Sequence, residues 1–326
     1  MTRINRRTTL GLALAAAFAA PARAEAPWPN RPVSFIVPFG PGGASDITAR
    51  AIGTRMSQTL GQSVVVENRA GANGQIAARQ LLRAAPDGYS LLVGSIGVFA
   101  LNAVLYSDPG YDPVADFSPI TLAVTTPNVL VVNPTVCPAT TLPELVAWMK
   151  ARPGDVFHAT SGNGSSPHLT MELFTQLTGA EATHVPSRGG AAAVLDLLAG
   201  RVQVSFQGLG SIIGPVRDGR LRAILVTAAS RSPLLPEVPT AAEAGLAEFV
   251  VSSWQAVMGP GGMPAPLLAR INAEVVRALH DPAVAPVLEA AGHSVVGDSP
   301  AEYAAFQRDE IDRWRRVVTA AQISLD

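Results

Sequence analysis

Apolar residues follow two alternating patterns along the chain. Short runs rich in β-branched residues predict strands, and longer segments with apolar positions at helical spacing predict helices. The predicted strands are residues 33–37, 63–67, 90–94, 120–132, 156–160, 183–185, 202–206, 221–226 and 249–258. The predicted helices are residues 45–60, 74–85, 142–151, 167–179, 190–199, 266–280, 283–291 and 301–321. In the first helix, Ile47, Ala51 and Met56 are expected to face inward. This alternation is typical of an α/β fold around mainly parallel sheets.

Two long extended runs, at residues 120–132 and 249–258, divide the 326-residue chain into two α/β units. We predict that domain 1 comprises residues 25–125 and 252–326, and that domain 2 comprises residues 126–251. Two units joined by two crossing strands predict a cleft whose width depends on a hinge. Ligands of open α/β sheets bind outside the carboxyl ends of the strands, so the loops that follow strands form the candidate site.

The first 24 residues have the pattern of a signal peptide. Basic residues open the segment, an apolar run occupies residues 10–20, and Ala22-Arg23-Ala24 forms a cleavage site of the A-x-A type. The apolar run is shorter than the roughly 18 residues that span a bilayer, so cleavage near Ala24 is favoured over a membrane anchor. The mature chain is expected in the periplasm, and the choice between Sec and twin-arginine export stays open.

Composition narrows the class of protein. Apolar residues make up 48% of the chain and charged residues 15%, which is too apolar for a disordered protein. The formal net charge is −1, and four arginines lie within the predicted signal peptide, so the mature part is slightly acidic and no nucleic-acid partner is expected. The single Cys137 excludes an intrachain disulfide and a multi-thiolate metal site, and we interpret it as a buried, inert thiol.

The loop at residues 38–46 (PFGPGGASD) joins the first strand to the first helix. Its glycines let the backbone approach a ligand, and the N–H groups at the helix start suit a carboxylate or phosphate. The alternative is an ordinary capped turn, because Ser45 and Asp46 are good N-cap residues. The glycine spacing excludes a nucleotide-binding fingerprint. Candidate ligand-binding residues here are Phe39, Gly40, Gly43, Ala44, Ser45 and Asp46.

A second loop, residues 160–168 (TSGNGSSPH), also joins a strand to a helix and offers polar groups. The alternative is a routine helix start, with Ser166 as cap and Pro167 in the first turn. A third loop at residues 185–190 contains Ser187 and Arg188, which either pairs with a carboxylate or is solvated. The remaining candidate ligand-binding residues are Ser95, Ile96, Ser161, Asn163, Gly164, Ser165, His168, Ser187, Arg188 and Gln207.

Catalytic and metal-binding motifs are missing from the sequence. No G-x-S-x-G or H-E-x-x-H motif occurs, and His158, His168, His184, His280 and His293 are scattered without ligand spacing. His168 is interpreted as a residue that caps the helix start or lines the cleft, rather than as a base. We therefore expect no cofactor, no metal and no enzymatic activity.

Ordered motifs from about Trp28 to the C-terminus resemble the substrate-binding proteins of tripartite tricarboxylate transporters, the Bug or TctC-like family. The motifs are Val37 to Gly43 with Asp46, VVENRAGA at 65–72, APDGY at 85–89, YDP at 111–113 with Asp116-Phe117, PNVLVVNP at 127–134, SGNGS at 161–165, LPEVPT at 235–240 and Ser253-Trp254. The resemblance implies a two-domain periplasmic binding protein fold, type II-like, that closes on a small organic acid, commonly a carboxylate. It also implies that the first loop and waters hold the carboxylate, without a basic cluster.

Three positions depart from the family pattern. Ser187 stands where the family often has Tyr, Gln207-Gly208 where an Asp-Asn pair is frequent, and Gln255 where an aromatic residue is common. These changes remove bulk and a carboxylate from the cleft, so no particular dicarboxylate is inferred.

The function expected from the sequence is a periplasmic receptor that delivers a small organic acid to the membrane components of a tripartite tricarboxylate-type transporter, and that acts as a monomer. An exported ligand sensor that presents its closed form to a regulatory partner is one alternative. An exported enzyme acting on a small organic acid is another, although the cleft has donors but no placed nucleophile, base or metal.

Overall fold

A computed structural model gives the fold of residues 28–187 and 189–325, so the predicted signal peptide and Arg188 lie outside the described residues. The strands are β1 (Val33–Val37), β2 (Val64–Asn68), β3 (Ser90–Ser95), β4 (Phe117–Val132), β5 (Phe157–Thr160), β6 (Thr183–Pro186), β7 (Val204–Gly208), β8 (Arg222–Val226), β9 (Ser252–Pro260) and β10 (Ser294–Val295). The helices are α1 (Ala44–Leu60), α2 (Gln75–Leu82), α3 (Asn102–Leu105), α4 (Leu142–Lys150), α5 (Ser166–Thr178), α6 (Gly190–Leu198), α7 (Leu209–Arg217), α8 (Ala265–Leu279), α9 (Ala285–Ala290) and α10 (Pro300–Ala321). A 3₁₀ turn at Ala72–Gly74 precedes α2, and a π-helical turn at Gly97–Leu101 precedes α3.

The strands form one continuous mixed sheet in the order β2-β1-β3-β9-β4-β7-β5-β6, and β8 and β10 also pair with β4. The outer pairs β1–β2, β1–β3, β5–β6 and β5–β7 are parallel. The predicted α/β class is confirmed. The sheet is mixed, rather than mainly parallel, because the two crossing strands β4 and β9 run antiparallel to each other and to their neighbours.

Strand β4 connects the two halves of the sheet. Its residues 117–127 pair with β9, whereas its residues 128–132 pair with β7. Alternate side chains of the second half pack into different cores, with Val129 and Val131 on one face and Leu130 and Val132 on the other. A strand buried on both faces has a nearly continuous apolar sequence, which is why this one could be recognised from its sequence alone.

Helix α10 packs against elements from both halves of the chain. Its N-terminus has a capping box, in which Ser299 accepts from the N–H of Glu302 and the Glu302 side chain accepts from the N–H of Ser299. Gln307 donates from Nε2 to the carbonyls of Phe99 and Pro113. Near its other end, the Val317 carbonyl accepts from Gln176 on α5. The helix therefore fastens the first half of the fold to the second.

Some elements differ from the sequence prediction. In α1 the buried apolar residues are Ala49, Ile52 and Met56, whereas Ile47 and Ala51 are only half-buried. The spacing of apolar residues predicts that one face of the helix is buried, but packing against α8 decides which residues lie at the middle of that face. Helix α7 was not predicted, because its glycines and an internal Pro215 read as helix breakers. The crossing strand β9 begins at Ser252, and Phe249 is buried in the preceding loop.

Cys137 is buried, as predicted, and burial raises the pKa of its thiol. Within residues 28–187 and 189–325, no helix combines the length and the apolar character needed to cross a membrane.

Candidate functional site

The first predicted loop leads into a helix start whose backbone donors are free. Gly43 is the N-cap of α1, with an extended backbone and no side-chain cap, and the first helical bond runs from Ile47 N to Gly43 O at 2.9 Å. The N–H groups of Ala44, Ser45 and Asp46 have no acceptor among the described residues. The alternative, in which Ser45 or Asp46 is the N-cap of this helix, is therefore wrong, because Gly43 is the N-cap. An uncapped helix start has backbone donors and a dipole that suit an anion.

Asp46 braces this loop from within the first turn of α1. Its carboxylate accepts from Gly42 N at 2.9 Å, from Arg50 Nε at 2.9 Å and from Asn68 Nδ2 at 2.9 Å. The same Asn68 amide donates to the Phe39 carbonyl. Burial by itself would raise the pKa of Asp46, but the hydrogen bonds from Arg50, Gly42 and Asn68 and the charge of Arg50 hold that pKa below its ordinary value. The buried carboxylate thus ties both sides of the loop to α1 and β2.

Two further segments meet α1 at the same edge of the sheet. Ser95 ends β3, its hydroxyl accepts from Gly97 N at 3.3 Å, and Ile96 beside it is buried. Ser95 is in register with Gln255 on β9. Gln255 is buried, and its Oε1 accepts from the Ser45 hydroxyl at 2.5 Å. Gln255 was missing from the predicted ligand-binding set, although the sequence singled it out as a departure from the family pattern.

The second predicted loop lies before α5. The N-cap of α5 is Ser165, not Ser166, because Ser165 is the last residue with an extended backbone. Its hydroxyl donates to Gly162 O at 2.7 Å rather than capping the helix. Asn163 is exposed, while Gly164 is buried. A Cβ at Gly164 would lie 2.7 Å from Leu105 and 2.9 Å from Leu325, so this loop packs against the end of α3 and the C-terminus.

A polar cluster forms where this loop meets the third one. A Cβ at Gly190 would lie 3.5 Å from Gln207 Oε1 and 3.6 Å from Ser161 Oγ, which places these three residues side by side. Gln207 also donates to Ser205 Oγ at 2.8 Å. Ser187 N donates to Thr160 O, and its hydroxyl donates to Asp196 on α6.

Asn73 lies between the two sets of loops. Its Nδ2 would be 3.7 Å from a Cβ at Gly164, and its Oδ1 would be 3.5 Å from one at Gly97. Its Nδ2 also donates to Asn102 Oδ1 at 2.8 Å. Asn73 was not among the residues predicted from the sequence to bind a ligand. Its backbone φ of 46° is unusual for a residue other than glycine, but that signal becomes visible only in the structure.

Three histidines that the sequence analysis described as scattered lie together beneath the second loop. The rings of His158 and His184 stack at 4.9 Å, and those of His168 and His184 at 4.0 Å. Adjacent parallel strands β5 and β6 place His158 beside His184, so residues that are distant in the sequence meet here. His168 Nδ1 accepts from Gly164 N at 3.2 Å, so the stack supports the loop.

Burial lowers the pKa of all three histidines, to about 3 for His158 and to about 4 for His168, where the neighbouring His184 also contributes. The stack is therefore neutral near pH 7. In the described part of the chain, no group of three or more His, Cys, Asp or Glu side chains is placed to hold a metal ion.

Two surface cavities lie apart from these loops. One, of about 440 Å³, lies between α1 and α9 and includes Arg55 and Val287 in its lining. The other, of about 400 Å³, lies beside α2 at Ile76 and Arg83. Neither is lined by the residues predicted to bind a ligand.

Comparison with known proteins identifies the family. The model of the tripartite tricarboxylate transporter family receptor matches residues 48–323. The chain belongs to this receptor family. Protein BugT of Bordetella pertussis is 39% identical to this chain over 320 residues, which cover 98% of this chain and 97% of BugT. The resemblance stated from the sequence motifs is thereby confirmed.

Solved structures agree with this assignment and with the two-domain periplasmic binding protein fold. Rpa4515 of R. palustris, solved with adipate, has a TM-score of 0.84 and 36% identity, and the match covers 91% of the receptor and 99% of that chain. MatC of Rhodopseudomonas palustris, solved with bound malate, has a TM-score of 0.81 and 34% identity over 89% of the receptor and all of that chain (100%).

Proposed function

We propose that this receptor binds a small organic acid between its two halves, with the ligand carboxylate on the N–H groups of Ala44, Ser45 and Asp46. The observation that carries the proposal is the uncapped start of α1 at the carboxyl edge of β1. Backbone donors and a helix dipole can hold a carboxylate without a basic side chain. The structures of Rpa4515 with adipate and of MatC with malate support the same ligand class.

The second part of the site comes from the other half of the chain. We assign ligand contacts there to Ser161, Asn163 and Gln207, and we assign Asp46 and His168 to the support of the two loops. Domain 1 is proposed as residues 25–125 and 252–326, and domain 2 as residues 126–251. The change of pairing partners within β4, from β9 to β7 at Asn128, supports a boundary in that strand.

We also propose that the chain is exported to the periplasm and that its signal peptide is cleaved near Ala24. The mature protein then acts as a monomer with the membrane components of the transporter. The proposed carboxylate site is built from backbone N–H donors of the first turn of α1, which favours binding over turnover. Incubating the mature protein with candidate acids tests this point, since conversion of an acid to product would favour the exported enzyme instead.

Ligand class is tested by thermal unfolding of the mature protein with aliphatic dicarboxylates, hydroxy acids, aromatic acids and neutral sugars. An acid at a hundredfold excess over its Kd adds about 2.7 kcal/mol to the stability of the folded state, because it binds only that state. At least one acid is expected to raise the melting temperature. Stabilisation by sugars alone would overturn the carboxylate assignment.

The helix start is tested by the variants Ala44→Pro and Ala44→Gly. Proline is tolerated at the first helical position and lacks the N–H, while the extended backbone of Gly43 is compatible with a following proline. Ala44→Pro is expected to weaken acid binding about tenfold or more, because a hydrogen bond to a charged group is lost. Ala44→Gly keeps the N–H and is expected to bind like the parent in calorimetry. Equal affinity in all three proteins would contradict the assignment.

A further inference from the structure

Gln255 lies at the edge of the sheet where the proposed carboxylate site is built, although it is far from that loop in sequence. It is near the start of β9, in register with Ser95 at the carboxyl end of β3. Its Oε1 accepts from Ser45 Oγ at 2.5 Å, and Ser45 belongs to the first turn of α1. One hydrogen bond therefore joins its carboxamide to a residue whose own N–H faces the ligand.

The other end of this carboxamide has no partner. Gln255 is 2% exposed, and within the described part of the chain its Nε2 makes no hydrogen bond. This nitrogen is not among the fully enclosed unpartnered atoms, so a small part of its surface remains accessible. Buried polar groups are normally hydrogen-bonded, and the neighbouring β9 residues Trp254 and Ala256 show that this position lies in an apolar strand. An unpaired donor here calls for an acceptor from outside the chain.

Two polar groups of the first turn of α1 are already engaged within the chain. The Ser45 hydroxyl gives its proton to Gln255, and the Asp46 carboxylate is occupied by Gly42, Arg50 and Asn68. Because the Gln255 amide bonds the side chain of Ser45, a carboxylate held on the N–H groups of the first turn of α1 would lie near that amide.

We propose that Gln255 is a specificity-determining residue, whose Nε2 donates to a hydroxyl or oxo oxygen on the carbon next to the bound carboxylate. The inference rests on the proposed function and names its ligand class, the 2-hydroxy and 2-oxo acids. An ammonium group at the same carbon has no acceptor to offer Nε2, so 2-amino acids are disfavoured. An unsubstituted acid leaves the buried donor unpaired.

The experiment compares matched acids that differ only at this carbon. The pairs are propionate with lactate, succinate with malate, and glutarate with 2-hydroxyglutarate or 2-oxoglutarate, and aspartate and glutamate are the amino counterparts. Affinities are measured by calorimetry on the mature parent and on Gln255→Met, which removes the amide with little change in size. Gln58→Met, an exposed position on α1, is the matched control.

The parent is expected to prefer the hydroxy or oxo member by about tenfold or more. In Gln255→Met this ratio falls to about twofold or less, while the affinity for the unsubstituted acid stays within about threefold. Ser45→Ala removes the hydroxyl that donates to Gln255 but leaves the Nε2 donor in place, so it is expected to keep the preference. A role confined to positioning Ser45 predicts that the preference is lost in Ser45→Ala, and that result would overturn the inference.

Two other results overturn it without touching the proposed function. One is a parent that binds acids with no preference for the substituted member, and the other is a ratio that is unchanged in Gln255→Met. Failure of the proposed function gives a different result, in which no acid of any pair binds the parent at all.

Discussion

At the scale of single residues, the Asp46 side chain fixes the conformation of the first loop, residues 38–46. Asp46 receives three hydrogen bonds within the protein, and all three would be lost if the carboxylate were removed. The carboxylate therefore shapes the loop that presents the helix N–H groups.

Replacement of Asp46 by alanine is expected to lower the free energy of unfolding by about 2 kcal/mol, since three hydrogen bonds to a buried charged group are lost. Acid affinity should also fall, because the loop loses its brace. Urea titration and calorimetry measure the two effects. The control is Asp312→Ala, where an exposed carboxylate pairs with Arg315 on the surface and the expected loss is below about 1 kcal/mol. Equal effects of the two substitutions would show that Asp46 has no bracing role.

The stacked histidines predict how stability depends on pH. Burial holds the pKa of His158 at about 3 and that of His168 at about 4, against an ordinary value of 6.5. Between these values the unfolded chain binds protons that the folded chain does not, so stability falls as the pH drops below about 6.5. Each histidine contributes up to about 1.4 kcal/mol per pH unit.

The variant His158→Phe is expected to flatten this dependence. Both ring nitrogens of His158 lack a partner among the described residues, so phenylalanine leaves no bond broken. Relative to the parent, the variant should gain about 2 kcal/mol between pH 7 and pH 5, measured by urea titration at both values. Burial raises the pKa of Glu172 and Asp298, so these two groups make the fold more stable as the pH falls. Both are present in the parent and in His158→Phe, so their contributions cancel in the difference between the two proteins. Parallel pH profiles would contradict the prediction.

At the scale of the elements, the loop before α5 needs a glycine at position 164 for two reasons, its backbone conformation and the space around it. Gly164 has a φ of 68°, and a Cβ there would lie within 3 Å of Leu105 and Leu325. Gly61 at the end of α1 has a similar φ of 65° but open space around it. Alanine substitutions at these two glycines therefore distinguish the effect of backbone strain, which both share, from the effect of close contact between the halves of the molecule, which only Gly164 has.

Gly164→Ala and Gly61→Ala should share a strain of about 1 kcal/mol, since both place a Cβ in the left-handed region. Only Gly164→Ala is expected to push the second loop away from α3 and to weaken ligand binding, by about tenfold or more. Calorimetry and thermal unfolding on both variants measure affinity and stability. If Gly61→Ala weakens binding as much as Gly164→Ala, the effect comes from strain and not from the contact.

At the scale of the whole molecule, binding is expected to be coupled to closure. The first loop follows β1 and the second follows β5, and these strands lie on opposite sides of the crossing strands β4 and β9. A ligand that touches both loops gains its full contacts only when the halves approach, so it shifts the hinge equilibrium towards the closed form.

Small-angle scattering with and without a bound acid should show a smaller radius of gyration for the liganded parent. Asn163→Ala removes a polar side chain from the second loop, at an exposed position where the melting of the free protein should change little. At the same acid concentration the variant is expected to compact less and to bind more weakly. Equal compaction and equal affinity would leave binding to the first half alone.

The sequence by itself determined the class of fold, the order of most elements and the two loops that carry the proposed site. These depend on short-range signals: apolar runs such as β4, helical spacing, and glycine clusters before helix starts. The same signals missed α7, since its glycines and Pro215 are atypical of a helix. Tertiary packing accounts for Gly210, because a Cβ there would lie 2.0 Å from the Ala291 carbonyl oxygen.

Tertiary structure alone decided which side chains meet. Ser45 and Gln255 are 210 positions apart, and only the pairing of β9 with β3 brings them into hydrogen-bonding distance. The three histidines likewise converge through the pairing of β5 with β6 and the packing of α5 above them. Local patterns specify an element because its periodicity is contained within it, whereas the partners across a cleft depend on strand order, which no short stretch of sequence encodes.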